Sequence, residues 1–481
     1  MTARRPDGRS AGVVCSILLF AACSQAVRPS GHPAVLFGPD TRVILSDFSE
    51  IDALAASPWF VFAATRHGLL IYDRLFGRFR PPVTSLDGYP SGRVRRAIAD
   101  LTGNAVWLDL GTASGYVRYD VEARVWTLGT VPSDQVDGTL TVQAALAAAP
   151  LTDAMRAVIL TDVRLRTHQF TAAAATNDRP EIFFGTNGLG LVRVDRTTGE
   201  WEVLSYGLVS PAVGAVATAP GGIWAAANVY PGSADRRRGV SWVARDLSST
   251  RISDFTFLYS RRLLAVGNEL WLATEQGVLR IDSSNFSSRL FDLPDATCLA
   301  SSRDGIWVGT ARGLSRITAT GGIESIEPRG VPIASLLAVA DTLWVGTTSG
   351  LGEILPNAQA ITTPPELADR ASLRVTIRAL GRLQDTIVMT TDRELLWRNA
   401  ATREWTSVPL PLGLGVPTAL TTEPSGGVWI GGTLGLAHAS LAARALQLHS
   451  VPNEVPAPVR DLVHDGEFLW VATDSGLVRI R

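Results

Sequence analysis

The chain has 481 residues, 46% of them hydrophobic and 19% charged, with a formal net charge of -1. That composition supports a large folded core and does not fit a disordered chain. It lacks the basic excess that a nucleic-acid partner would require. Apart from the histidines, every basic residue is an arginine, since the sequence contains no lysine. This usage fits a GC-rich genome; the functional alternative is selection for bidentate anion binding.

The first segment reads as an address. Arg4, Arg5 and Arg9 form a basic start, and an apolar run from Ala11 to Ala22 follows. The run is too short to span a bilayer as a permanent helix. It ends in Phe20-Ala21-Ala22-Cys23, which resembles a bacterial lipobox, with Phe20 where leucine is usual. Residues 1–22 are therefore expected to be a lipoprotein signal peptide, with Cys23 as the lipidated residue. The alternative is an ordinary signal peptide cut nearby. Acyl chains on Cys23 would hold the protein on a membrane without a spanning helix. Residues 23–40, rich in Pro, Gly and Ser, read as a tether. The expected location is the bacterial cell envelope, at an outer membrane, facing the periplasm or the surface.

From residue 41 onward the sequence repeats. The clearest copies are Asp304-Gly305-Ile306-Trp307-Val308-Gly309-Thr310-Ala311-Arg312-Gly313-Leu314 and Leu343-Trp344-Val345-Gly346-Thr347-Thr348-Ser349-Gly350-Leu351. Further copies centre on Trp271, Trp429 and Trp470, and weaker ones on Phe62, Trp107, Phe183, Trp224 and Val388. Neighbouring anchors mostly lie roughly 40 residues apart, the length of one propeller blade. Each copy reads as four strands. A small-residue inner strand leads through a Gly, Asp or Asn hairpin to the anchor strand, and Gly-Leu then opens the third. Such a sheet has two apolar faces, and stacking around an axis buries both. The anchor tryptophans are assigned to packing between blades.

The fold class expected is all-β, a β-propeller over residues 41–481, read as one ring of about ten four-stranded blades. The last copy ends without an outer strand, and Thr41-Arg42-Val43-Ile44-Leu45-Ser46 has no partner of its own. Pairing these terminal strands would close the ring and hide both edges. Two irregularities interrupt the repeat. Residues 131–166 form an insertion of partly helical composition, and residues 228–239 form a long loop carrying Tyr230, Arg236, Arg237 and Arg238.

The pattern Leu-Trp-Val-Gly-Thr-x-x-Gly-Leu, with a later Tyr/Ile-Asp, resembles the two-component regulator propeller repeat. In that family the repeats form extracytoplasmic sensor domains, many of which recognise glycans. The resemblance implies a propeller and, more weakly, ligand capture. No transmembrane helix or kinase follows the repeats in this sequence.

Candidate ligand-binding residues lie in the turns between second and third strands and in the long loop: Arg66, His67, Tyr230, Arg236, Arg237, Arg238, Arg312 and Arg393. Such turns crowd one face of a propeller disc. Expected partners are a glycan, an anionic small molecule or an envelope protein. No catalytic residue, metal site or cofactor is assigned, since the six histidines are scattered and no motif for them is present. Two readings remain open. One is a non-catalytic binding, sensing or scaffolding protein. The other is a propeller enzyme similar to streptogramin B lyase, which would need a convergent base at the channel mouth. Cys298, in an apolar run, reads as a buried thiol outside any disulfide.

Overall fold

The computed structural model describes residues 42–481 except 101–103, 112–114, 132–138, 230–236, 256, 258, 357, 368–373, 400 and 450–454. The lipidation and tether readings fall outside these residues. The rest of the chain forms ten antiparallel sheets, eight of four strands, one of five and one of three among the described residues. These are the blades, numbered here in chain order: blade 1 (residues 51–79), 2 (96–129), 3 (139–204), 4 (213–254), 5 (260–291), 6 (296–326), 7 (333–354), 8 (379–409), 9 (417–449) and 10 (459–480). All ten anchor residues are buried, from Phe62 at 0% to Trp429 at 9% exposure. Several anchor indoles also complete a local bond that the repeat motif does not reveal. Trp470 donates to Asp465 (3.0 Å), Trp429 to Glu423 (3.0 Å) and Trp307 to Ser302 (3.0 Å), each acceptor lying just ahead of the anchor strand. A buried indole N–H needs such an acceptor.

The terminal strands pair as the sequence suggests. Arg42–Leu45 lies antiparallel to Gly476–Ile480, with Arg42 opposite Ile480 and Leu45 opposite Leu477. Blade 10 thus takes its outer strand from the start of the chain.

The order of neighbours adds what the repeat alone does not carry. Successive apolar cores join blades 4–5, 5–6, 6–7, 7–8, 8–9 and 9–10. A further core puts Trp470, Ala472 and Leu477 of blade 10 against Val213, Val216, Ile223 and Ala225 of blade 4. The ring closed by the terminal strands therefore holds seven blades, 4 to 10, rather than all ten. Blades 1 to 3 form an arc outside it, in the spatial order 3-1-2. Phe183 of blade 3 shares a core with Leu54 and Tyr72 of blade 1, and Phe62 of blade 1 shares another with Val106 and Leu108 of blade 2.

The arc is spliced in between the closing strand and blade 4. Its entry and exit run side by side, with the Leu208 N–H donating to the Ser46 carbonyl (2.8 Å) and Asp47 bridged to Gly207. Phe48 and Tyr206, one from each crossing, stack at 6.4 Å, and Phe79 lies 4.7 Å from Tyr206. These rings belong to the same core as the blade 10–blade 4 contact, so arc and ring are welded by aromatic burial.

An arc has two ends, and an end blade has one uncovered apolar face. The insertion solves this for blade 3. Thr141 and Thr152 cap two short helices, α1 (Val142–Ala148) and α2 (Asp153–Ile159), by accepting from the Ala144 and Met155 N–H groups. Ala145 and Ile159 then pack on Ala173, Ile182, Phe184 and Val192 of blade 3. A polar clamp carries on to the ring. Asp162 accepts from Arg166 (2.5 Å), and Arg166 also pairs with Asp254 on the outer strand of blade 4.

Candidate binding site at the channel mouth

The inner strands of blades 4 to 10 surround the ring axis. Six of them share one irregularity, a register shift one residue from the start. A bulge of this kind leaves the extra residue outside the ladder and re-aims its side chain. The extra residues are Gly214, Arg261, Thr297, Ala334, Thr418 and Arg460. In blade 8, Arg378 holds the equivalent place just ahead of the strand Ala379–Leu383, its N–H bonded to the Thr390 carbonyl at 2.8 Å.

All of these but Gly214 line a narrow space of about 70 Å³, with Arg262, Cys298, Ser335 and Asp461 beside them. A cavity that small admits a few waters or one substituent of a ligand, so a larger molecule would rest on the mouth. Burial pushes the Cys298 thiol up to about 11, which leaves it inert.

The arginines of the mouth are paired with carboxylates from the adjoining turns. Arg460 grips Asp474 through two bonds, Nε to Oδ1 at 2.9 Å and Nη2 to Oδ2 at 2.7 Å. Arg378 Nε reaches Asp392 Oδ1 at 2.6 Å, and Arg261 lies 3.8 Å from Asp295. Both partners of the Arg460 pair are about 30% exposed, and those of the Arg378 pair somewhat more. Deeper in, Asp461 is 1% exposed. It accepts from Arg262 (2.5 Å), from the Val216 N–H (3.1 Å) and from its own neighbour Leu462 (3.0 Å). Blades 10, 4 and 5 meet at this carboxyl. Burial raises its pKa above the usual 3.8, opposed by the Arg262 charge and the two N–H donors.

Four guanidiniums therefore face four carboxylates, Asp295, Asp392, Asp461 and Asp474. The mouth offers dense donors and acceptors without a surplus of charge.

The turn residues singled out from the sequence divide between two places. Arg312 and Arg393 are exposed on ring turns at the same end as the channel mouth. Their N–H groups bond Thr310 (3.1 Å) and Thr391 (3.3 Å), which fixes the turns. Arg66, exposed, and His67, half-buried, sit on blade 1 and so belong to the arc, away from the channel. Arg237 is an architectural residue, reaching Asp47 at 3.2 Å where the chain crosses into the arc. The Arg238 carbonyl accepts from Phe255 (2.9 Å) at the outer edge of blade 4. Tyr230, Arg236 and Cys23 lie outside the described residues.

Turn reasoning missed Arg261, Arg262, Arg378, Arg460 and Asp461. A signal for them existed. Arg261-Arg262-Leu263, Arg378-Ala379-Leu380 and Arg460-Asp461-Leu462 place arginine at one offset from the same leucine in three repeats.

Seven blades around an axis, with an extra arc spliced beside the closing strand, define a β-propeller. No family model and no curated protein matches the chain. Among solved structures it is similar to virginiamycin B lyase from Staphylococcus aureus, at 15% identity and a TM-score of 0.46, over 56% of this chain and 94% of that one. It is also similar to the extracellular domain of a hybrid two-component system from B. thetaiotaomicron, at 12% identity and a TM-score of 0.44, over 89% and 69% of the two chains. The WD40 propeller of Doa1 matches at 9% identity and a TM-score of 0.46, over 56% and 92%.

Proposed function

We propose that this chain is a non-catalytic, lipid-anchored envelope propeller that captures a neutral, hydroxyl-rich ligand, such as the end of a glycan, on the channel mouth of its seven-bladed ring, for sensing or scaffolding. The observation that carries this reading is the recurrence of a partly exposed Arg–Asp pair at one register in blades 8 and 10, with a looser pair at Arg261 of blade 5. In the partly exposed pairs each guanidinium keeps N–H groups and each carboxylate keeps lone pairs for vicinal hydroxyls. A small anion would meet the four carboxylates as well as the four arginines. An enzyme of the lyase kind needs a base at the mouth. At the described mouth Asp295, Asp392 and Asp474 are each paired with an arginine, and the oxygens of Asp461, which lines the channel, are engaged by three donors. Of the described histidines, His438 pairs with Glu423 beside the turn between first and second strands of blade 9, at the opposite end of the ring.

The test is a glycan array followed by calorimetry. Arg378→Ala and Arg460→Ala should each weaken binding by about tenfold or more, as losing a charged hydrogen bond does, with the melting temperature little changed. Salt should affect affinity weakly, since no net charge is neutralised. Binding confined to anions, or untouched by both substitutions, would overturn the reading. The anchor is tested separately: Cys23→Ala should abolish acylation and release the protein from the membrane fraction.

A further inference from the structure

The end of the molecule opposite the channel mouth carries a compact aromatic surface that the binding site does not use. In blade 1, Trp59 lies in the turn between first and second strands, and Leu75 and Phe76 lie in the turn between third and fourth. They are 50%, 63% and 65% exposed. The Arg74 N–H donates to the Trp59 carbonyl (2.9 Å), so the two turns form one tip.

This tip is braced from behind. Asp73 accepts from the Leu75 and Phe76 N–H groups (3.1 and 3.2 Å) and orders the turn. The Arg74 guanidinium is buried, and bonds Ser57 (2.7 Å), Thr176 (2.7 Å) and Glu181 (2.9 Å), tying the tip to blade 3. Arg78 lies over the Phe76 ring at 5.4 Å and is itself exposed. Large apolar groups held this firmly in water mark a contact surface.

The chain enters the ring at the same end. Gly476–Ile480 runs away from the turn at Asp474 and Ser475, and Arg42 is paired with its last residue, Ile480. Arg42 thus stands at the end opposite the channel mouth. Arc and ring share this direction. Asp246, in the blade 4 turn at the same end, is held below its ordinary range by Ser248 and more weakly by Arg78 of the blade 1 tip.

We infer that Trp59, Leu75 and Phe76 dip into the bilayer to which the protein is tethered, turning the channel mouth away from that membrane. The inference rests on the lipid-anchor reading above. Trp and Phe beside an arginine suit the interfacial layer, where rings meet acyl chains and guanidinium meets anionic headgroups. The acyl groups hold the protein and the side chains set its orientation, two weak signals acting together.

The experiment uses the full-length acylated protein, with Leu75→Cys carrying an environment-sensitive fluorophore, in vesicles of phosphatidylethanolamine and phosphatidylglycerol. Ser475→Cys, at the channel end, is the control. Cys298 is buried and Cys23 acylated, so labelling is selective. The expected result is a blue shift and quenching by nitroxide lipids at position 75, and neither at 475. Adding Trp59→Ser and Phe76→Ser should remove the shift while circular dichroism stays unchanged. An aqueous spectrum at 75 in vesicle-bound protein, or a shift at 475 instead, overturns the proposal. Self-association abolished by the same serine substitutions also overturns it, since the patch would then cover a second copy. Failure of the anchor shows independently, as an unacylated amino terminus by mass spectrometry.

Discussion

Gly476 sits in the last hairpin with φ at 150°, and a Cβ there would come within 2.3 Å of the Leu45 carbonyl. Both the backbone conformation and the approach of the closing strand require the missing side chain. Gly476→Ala should cost about 1–3 kcal/mol through strain and through loosening of the closing strand, read as a lower midpoint in denaturant. The glycine itself is legible as part of the repeat. Its second duty is not, because the strand it admits lies more than 400 residues earlier in the chain. The anchor tryptophans are similar. Their burial follows from the repeat, whereas the acceptors Asp465, Glu423 and Ser302 vary in type and escape a motif.

At the scale of the strand, the bulge converts a packing element into a site. Side chains of an inner strand ordinarily serve the cores on either side, and one extra residue at its start turns toward the axis. The aliphatic run of each strand is plain in the sequence. The bulge is not, since it depends on register between strands, and the recurring arginine two residues ahead of a leucine is a fainter mark than the turn residues. Asp461 shows what this geometry costs. Its raised pKa means the folded state binds a proton more readily than the unfolded chain, so this group's penalty is absent at low pH and grows as pH rises through the raised value. Arg262→Met removes the opposing charge and should destabilise the seam by about 1–3 kcal/mol at neutral pH, less than for a fully buried pair because Arg262 is 36% exposed. The deficit in melting temperature should shrink on acidification to pH 4–5; an equal deficit at both would sink this account. The insertion behaves oppositely. Burial raises Asp162, but N–H donors from Arg166 and Arg164, the Arg166 guanidinium and His168 bring it down to about 2. The clamp's contribution is thus full above the ordinary carboxylate range and lost as pH falls through about 2. Asp254→Ala should release α1 and α2 to hydrogen exchange at neutral pH, while the native chain should hold their protection at pH 4.

For the whole molecule, the repeat supplies the number of blades and the unmatched end strands supply the closure. What they do not carry is which blades neighbour one another, because every copy offers the same two apolar faces. That choice is made by residues outside the repeat: Phe48 and Tyr206 in the two crossings, and the helices over blade 3. If the arc is an excursion from a complete ring, it should be dispensable to the ring. Deleting residues 48–206 and joining Asp47 to Gly207 spans a junction where Ser46 and Leu208 already share a hydrogen bond of 2.8 Å. The shortened chain should unfold cooperatively and bind the channel ligand with unchanged affinity, measured by calorimetry. A collapsed or aggregated product would mean that the arc is integral to closure.

The pairing of Arg42–Leu45 with Gly476–Ile480 also imposes a schedule. During synthesis the strand Arg42–Leu45 emerges long before its partner, and it remains unpaired until Gly476–Ile480 follows. The three arc blades, made early and joined by contacts among themselves, can assemble while the rest is still being made. The seven-bladed ring cannot, since its last gap is filled by both termini at once. Its formation is a late event of high contact order, and therefore slow. Through that interval a half-built disc exposes apolar faces at blades 4 and 10, and a chaperone able to shield flat, aliphatic sheet surfaces would act at this stage.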